Sequence, residues 1–248
     1  IGEATALAQL LIARCKKPGN EMPGLMLLLD GEKAYDRVQH SWLDLCMKEM
    51  GLPDEFRTLI NTLQTGAETA IKVNGTAGEP FSPLNGVRQG SPLSPLLYLI
   101  CLQPLLDKLE GEKGVKGIPV PGRCGGADTE ARVIAYADDT AIFLRSLDQL
   151  PKVREWVDCY ETASGAATNW KKTTGLLLGS LRVPGATGAI TIPAPPEAGD
   201  LGKIQWLNED GDTSLRYLGI HFGGDQAVTE TWRTTVVARL ERKLAGIW

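Results

Sequence analysis

An α+β fold, an antiparallel sheet with helices on one face, is what the apolar pattern of this chain predicts. Two observations carry that expectation. Short β-prone runs alternate with helix-length amphipathic stretches, giving two strand-helix-strand units. Near the middle of the chain, the runs 133–137 and 140–144 meet at Asp138-Asp139 and read as a hairpin with the aspartates at its tip.

Positions 1–16 place Ala4, Leu7, Leu10, Leu11 and Cys15 at helical spacing, and Lys16-Lys17-Pro18-Gly19-Asn20 closes that helix. Leu25-Met26-Leu27-Leu28-Leu29 is a continuous apolar run ending at Asp30, as expected of a buried strand that delivers a carboxylate to its end. Ser41 is the expected N-cap of an amphipathic helix over 42–50, and a further helix is expected over 54–65. Asn74-Gly75, between 70–73 and 79–81, is a hairpin signal. Positions 85–95 are rich in turn formers and open into an apolar helix over 96–109. Glycine there permits close backbone approach to a ligand, and a helix N-terminus favours phosphate. The Gly/Pro-rich stretch 111–130 reads as a surface insertion without chemistry. After the hairpin come a helix over 148–163, a strand over 174–178, a Pro/Gly-rich segment 184–199 expected to be mobile, a strand-like 215–222 and a terminal helix over 231–248.

Composition excludes several classes. Apolar residues make up 43% and charged residues 23%, ordinary for a chain that buries a core in one or two domains. The longest apolar run, 96–102, is too short to span a bilayer, and no basic-then-apolar leader supports secretion. Cys15, Cys46, Cys101, Cys124 and Cys159 lack metal-ligand spacing and read as reduced thiols of an intracellular protein. With only His40 and His221, imidazole or zinc chemistry has little basis, and both read as structural or solvated.

Asp138-Asp139 is a poor tight-turn pair, because Asn-Gly or Asp-Gly is favoured there and adjacent like charges repel. A cation between the two would remove the repulsion, and Mg²⁺ is the usual hard ion held by one or two carboxylates plus substrate phosphates. A lone Asp-Asp is otherwise a solvated turn. Three segments in order change that balance.

The chain resembles the reverse transcriptase domain of non-LTR (LINE-type) retrotransposons. Leu29-Asp30-Gly31-Glu32-Lys33-Ala34-Tyr35-Asp36-Arg37-Val38 is similar to motif A of the polymerase palm. Gly86-Val87-Arg88-Gln89-Gly90-Ser91-Pro92-Leu93-Ser94-Pro95 is similar to motif B, and Tyr136-Ala137-Asp138-Asp139 to motif C. Ser164-Gly165 followed by Asn169-Trp170-Lys171-Lys172-Thr173 resembles motif D, and Leu215-Arg216-Tyr217-Leu218-Gly219-Ile220 resembles motif E. The resemblance runs through essentially the whole chain. It implies a right-hand polymerase: residues 1–222 a palm with partial fingers, its antiparallel sheet backed by helices, and residues 223–248 the start of a truncated helical thumb.

It further implies an RNA-directed DNA polymerase, a nucleotidyltransferase that copies an RNA template onto a DNA primer from dNTPs. Asp30, Asp138 and Asp139 would be the catalytic, metal-holding carboxylates for two Mg²⁺ ions, with Mn²⁺ as a substitute. Asp36, beyond the strand end, reads as a helix or loop cap before it reads as catalytic. Gln89 and Gly90 resemble residues that contact nucleotide and template, although a helix-entry turn explains them as well. Arg88 could meet a phosphate or a surface carboxylate. Lys172 fits the lysine that assists pyrophosphate departure, with Lys171 as a rival and a solvated pair as the plain alternative. Tyr35 lies where related polymerases place a ring under the nucleotide sugar; packing behind the strand is the other reading. Leu218-Gly219-Ile220 would form a primer-supporting turn. Arg233, Arg239, Arg242 and Lys243 could track a phosphate backbone or line a solvated helix face.

The net charge of −4 sits awkwardly with nucleic-acid binding. The expectation is that basic surfaces lie in fingers and thumb segments beyond this chain, and that the chain alone polymerises poorly. Further domains of a parent polyprotein would be its partners, no membrane is implied, and a nucleus or cytoplasmic ribonucleoprotein is the implied setting. A group II intron-type enzyme, or a truncated or decayed palm that binds nucleic acid without activity, are the alternatives.

Overall fold

The computed structural model describes residues 2–17, 19, 21–66, 68–120, 129–192 and 196–224, together with the single positions 229, 233 and 237. In chain order these form α1 (Gly2–Cys15), β1 (Gly24–Leu29), α2 (His40–Glu49), α3 (Asp54–Thr65), β2 (Lys72–Val73), β3 (Thr76–Ala77) and α4 (Ser94–Gly111). Then follow β4 (Ile118–Val120), β5 (Thr129–Ala131), β6 (Val133–Tyr136), β7 (Asp139–Leu144) and α5 (Leu150–Ser164). The last elements are β8 (Thr174–Leu178), β9 (Ile190–Thr191), β10 (Gln205–Asn208), β11 (Leu215–Tyr217) and β12 (Ile220–Phe222). The chain divides into two compact units, one of Ile1–Asp30, Glu112–Arg154 and Asn169–Trp248, the other of Gly31–Gly111 and Glu155–Thr168.

The first unit is built on a sheet of order β6-β7-β1-β8-β10-β9. Its centre is β1, whose unbroken apolar run pairs antiparallel with β7 on one side and β8 on the other. Residues 24–27 of β1 are buried whichever face they point to, and a strand covered on both faces reads as a continuous apolar run. Met26 sits in register with Phe143 and with Leu176, and all three are fully buried. The same core takes Ala8, Leu11, Ile12 and Cys15 from α1, at the helical spacing that lines one face, and Tyr217 and Phe222 from the β11-β12 hairpin.

The second unit is helical. In it α2 packs against α3 and α4, burying Leu43, Cys46 and Met47 from α2, Ile60 from α3, and Leu97, Cys101 and Leu105 from α4. Arg57 fastens α3 to α2 by donating to both Asp44 oxygens, at 3.1 and 2.8 Å. Those bonds, with a further one from Asn61, hold the Asp44 carboxyl below its ordinary value. Asn74 and Gly75 both adopt positive φ, the geometry a two-residue hairpin turn requires, and join β2 to β3.

Several sequence expectations shift. Ser41 lies inside α2, and its N-cap is Gln39, which makes no side-chain capping bond. The apolar helix begins earlier than its hydrophobic run, at Ser94, whose hydroxyl donates to the Arg88 carbonyl. The stretch 111–130 is no plain loop: β4 and β5 pair antiparallel within it, while 121–128 lies outside the described residues. The Pro/Gly-rich segment 184–199 contains β9. The sheet is mixed, because β10, which the apolar pattern did not reveal, runs parallel to β8. Among the described cysteines Cys15, Cys46 and Cys101 are buried free thiols and Cys159 is an exposed one. No helix of the described residues is long and apolar enough to cross a membrane.

The β8-β10 pairing explains one glycine by its lack of a side chain. Gly175 is in register with Trp206, and a Cβ there would stand 2.3 Å from the indole ring, which is itself 1% exposed. Gly175→Ala is therefore expected to destabilise the chain by about 1–3 kcal/mol through overpacking. Urea unfolding of Gly175→Ala, Trp206→Leu and the double variant checks it: the two losses should fall short of additive, and strict additivity would refute the clash.

Candidate active site

Strand ends place the acidic residues. The β1-β7 register runs from Leu25↔Leu144 to Leu29↔Thr140, so one further step sets Asp30 beside Asp139. Asp30 is held from the other side by its own backbone. Its carbonyl accepts the Asn169 N–H at 2.7 Å, and its N–H reaches the Thr173 hydroxyl at 3.5 Å. Thr173 is fully buried and donates in turn to the Asn169 carbonyl at 3.1 Å.

Asp139 is the first residue of β7 and pairs with Tyr136, so Ala137-Asp138 forms the hairpin tip rather than the two aspartates together. Ala137 carries a φ of +54°, a strained value for a residue with a Cβ. Asp139 is open at the strand end, yet its carboxyl is pushed above the usual value. Burial of the carboxyl is the largest cause, followed by the charges of Asp138 and Asp30. Three carboxylates thus converge closely enough to repel. Among the described residues, however, no group of three or more His, Cys, Asp or Glu side chains is set to hold a metal ion.

A cleft of about 460 Å³ opens beside the hairpin tip, lined by Tyr136, Ala137, Asp138, Asp139, Arg216, Leu218 and Gly219. Its opposite wall is the β11-β12 turn, where Leu218 and Gly219 both have positive φ. Tyr217 anchors that hairpin by donating to the Ile134 carbonyl at 3.4 Å. Burial, with a smaller push from Asp139, raises its phenol to about 12. Arg216 brings a cation to the acidic cleft. On sequence grounds it carried no role; only the hairpin pairing of 215–222 could have shown which way it faces. His221 is structural, within 2.6 Å of the Ser214 hydroxyl.

Of the two adjacent lysines, Lys171 helps hold Asp200 below its ordinary value, after the hydrogen bond from Lys203 and the charge of Arg154. The Lys172 side chain is exposed and forms no ion pair among the described residues, while its backbone N–H donates to Asn169. The turn that holds Asp30 is therefore also the turn that carries Lys172.

The second unit carries Tyr35, Arg88, Gln89 and Gly90. Tyr35 is half-buried and stacks on Tyr98, with ring centroids 4.9 Å apart and planes 19° from parallel. The exposed Gln89 donates from Nε2 to Asp36 Oδ1 at 3.0 Å, so Asp36 serves as a side-chain acceptor and not as a helix cap. Arg88 and Gly90 are exposed. His40 is structural, its Nε2 donating to the Gly86 carbonyl at 2.9 Å. Arg233 is described and exposed, whereas Arg239, Arg242 and Lys243 lie outside the described residues, as does most of the expected thumb helix.

Comparison with known proteins places this arrangement. The transposon TX1 uncharacterized 149 kDa protein of Xenopus laevis is 32% identical over 202 residues, covering 81% of this chain and 14% of that protein. The Pol polyprotein of the R2 retrotransposable element of Popillia japonica is 26% identical over 204 residues, covering 82% of this chain and 27% of its own length. These relatives are non-LTR retrotransposon proteins, and the chain spans well under a third of either. In three dimensions the fold is similar to that of telomerase from Candida tropicalis, solved in complex with a fragment of telomeric RNA. The TM-score is 0.57 at 16% identity, over 77% of this chain and 31% of that one. The sheet and its helices accordingly have the fold of a polymerase palm. Residues 12–222 match the model of the reverse transcriptase (RNA-dependent DNA polymerase) family, and the chain belongs to that family.

Proposed function

We propose that this chain is the polymerising core of a non-LTR retrotransposon protein, extending a DNA primer along an RNA template from dNTPs. The observation that carries the reading is Asp30 just past the end of β1 and Asp139 at the start of its partner β7, close enough for the Asp30 charge to act on Asp139, with Asp138 at the adjoining hairpin tip. An all-oxygen donor set suits a hard divalent cation, and the mutual repulsion at Asp139 is what such an ion would relieve.

In this reading Asp30, Asp138 and Asp139 hold two Mg²⁺ ions, or Mn²⁺ in their place. Bound there, the ions activate a primer hydroxyl and neutralise the charge of the transferred phosphate. The protein's own residues do the rest. The Asn169–Thr173 turn keeps Asp30 at its strand end. Lys172, exposed and without an ion pair among the described residues, stabilises or protonates the leaving pyrophosphate. Arg88, Gln89 and Gly90 contact the substrate at the entry to α4, and Tyr35, braced by Tyr98, rejects a 2′-hydroxyl by steric clash. Residues 1–222 act as palm with partial fingers, and the thumb begins at 223.

Asp138→Asn keeps the side-chain shape and removes the charge, so RNA-templated primer extension should fall by several orders of magnitude with unchanged circular dichroism. Extension near the wild-type rate would refute the assignment. Tyr35→Ala should raise rNTP use relative to dNTP use; equal loss of both with a lower melting temperature would make Tyr35 a packing residue only.

Carboxylate crowding gives a third expectation. The folded pKa of Asp139 lies above its ordinary value of 3.8, so its unfavourable contribution grows as pH rises past that value and is absent well below it. Without metal, Asp139→Asn should therefore be more stable than wild type at pH 7, the difference closing as pH falls towards 4. Mg²⁺ should raise the wild-type melting temperature at pH 7 and leave the variant almost unmoved. A variant less stable than wild type in metal-free buffer at pH 7 would contradict the crowding.

A further inference from the structure

Residues 33–40 and 85–89 of the second unit are stitched together by several hydrogen bonds around the buried Val38 and Val87. Gly86 N–H donates to the Val38 carbonyl at 2.7 Å and Val87 N–H to the Tyr35 carbonyl at 2.8 Å. His40 Nε2 donates to the Gly86 carbonyl, and Gln39 bridges to Asn85. Gly86 has a φ of +92°, and a Cβ there would stand 2.9 Å from the Asp36 carbonyl oxygen, so the two turns touch backbone to backbone. Asp36 is itself fixed by a turn, its N–H donating to the carbonyl of Lys33, a residue at φ +48°. From this frame its carboxylate accepts the hydrogen bond of Gln89 Nε2 at 3.0 Å.

The chemistry of that bond is directional. A carboxylate only accepts, so the end of the Gln89 amide that faces it must be the NH₂. The opposite end, the carbonyl oxygen Oε1, is then turned away from Asp36. We propose that Asp36 is a positioning residue that orients the Gln89 amide, so that Gln89 presents an acceptor to a hydroxyl or amino donor of a bound nucleotide or nucleic-acid strand. This rests on the polymerase reading and extends it: Asp36 never touches substrate, and it selects the polarity with which Gln89 does. Without the carboxylate the amide rotates freely and offers donor and acceptor indifferently. A neutral Asn at 36 still supplies an acceptor oxygen, although it no longer enforces one orientation.

The test has two arms. In nuclear magnetic resonance of the labelled chain, the Gln89 side-chain NH₂ should be slowed in proton exchange in wild type and Asp36→Asn and released in Asp36→Ala. This arm needs no catalysis and judges the contact even if the chain proves to be no polymerase. In primer extension, Asp36→Ala should raise KM for dNTP roughly three- to tenfold at constant kcat if the donor is on the incoming nucleotide. If the donor is on the strand, it should weaken primer-template binding by a similar factor. Asp36→Asn should recover most of the loss, and Asp36→Ala/Gln89→Ala should be no worse than Gln89→Ala alone, all at unchanged melting temperature. Losses that add in the double variant, a Gln89 amide indifferent to Asp36, or an Asp36→Ala change that moves neither KM nor strand binding would each overturn the proposal. Absence of any extension by wild-type protein would instead count against the polymerase reading, with the amide arm still deciding the contact.

Discussion

β1 is paired on both edges, and the acidic end of the first unit depends on that pairing. With β7 and β8 locked to it residue by residue, the end of the strand has no freedom to move Asp30 away from Asp139. The row of Met26, Phe143 and Leu176 anchors the register, and a full burial of one such side chain contributes about 1.5–3 kcal/mol. A slip of one residue would turn that row to the opposite face and carry Asp30 out of register. The core therefore imposes a proximity that the carboxylates, left to electrostatics, would avoid. Strain of a second kind sits next to it, in the left-handed Ala137 that points the hairpin tip.

The second unit uses a different device. Its turn regions are held by hydrogen bonds and one backbone-to-backbone approach at Gly86, while its helices pack by the usual apolar faces. The side chains expected to meet substrate there are supported by neighbours: Tyr35 by Tyr98, Gln89 by Asp36. Such support reduces the number of orientations each can adopt, and so the entropy lost when a ligand arrives.

Much of this was legible in the residues. The strand at 174–178, the helix over 54–65 and the Asn74-Gly75 turn follow from local chemistry, and each forms where its pattern ends. The three aspartates were visible because an apolar run stopping at a charge marks a strand end. What stayed hidden depends on tertiary partners. β10 is short, its neighbour β8 is contributed by a distant segment, and its direction relative to β8 is a matter of chain path. Ser41 has the right chemistry for a cap, but the helix starts before it, at His40, and Gln39 takes the cap position. Arg216 alternates outward from a buried Leu215 and Tyr217, a pattern that says only that it is not in the core. The Asp36–Gln89 contact joins positions 53 apart, beyond any local rule.

The strand order also has a consequence for how the chain comes into being. β1 is made before both its partners, β7 and β8, which follow more than a hundred residues later, and the intervening segment includes the whole run from α2 to α4. During synthesis, at roughly 5–20 residues per second, the five consecutive apolar residues Leu25 to Leu29 must wait several seconds without a strand on either side. An unpaired apolar strand is a template for aggregation. The hairpins at 72–77 and 133–144 can close as they emerge, and so can the helices, but the centre of the sheet cannot. Ribosome stalling or premature termination between β1 and β7 would thus release a chain whose central, largely buried strand has no partner.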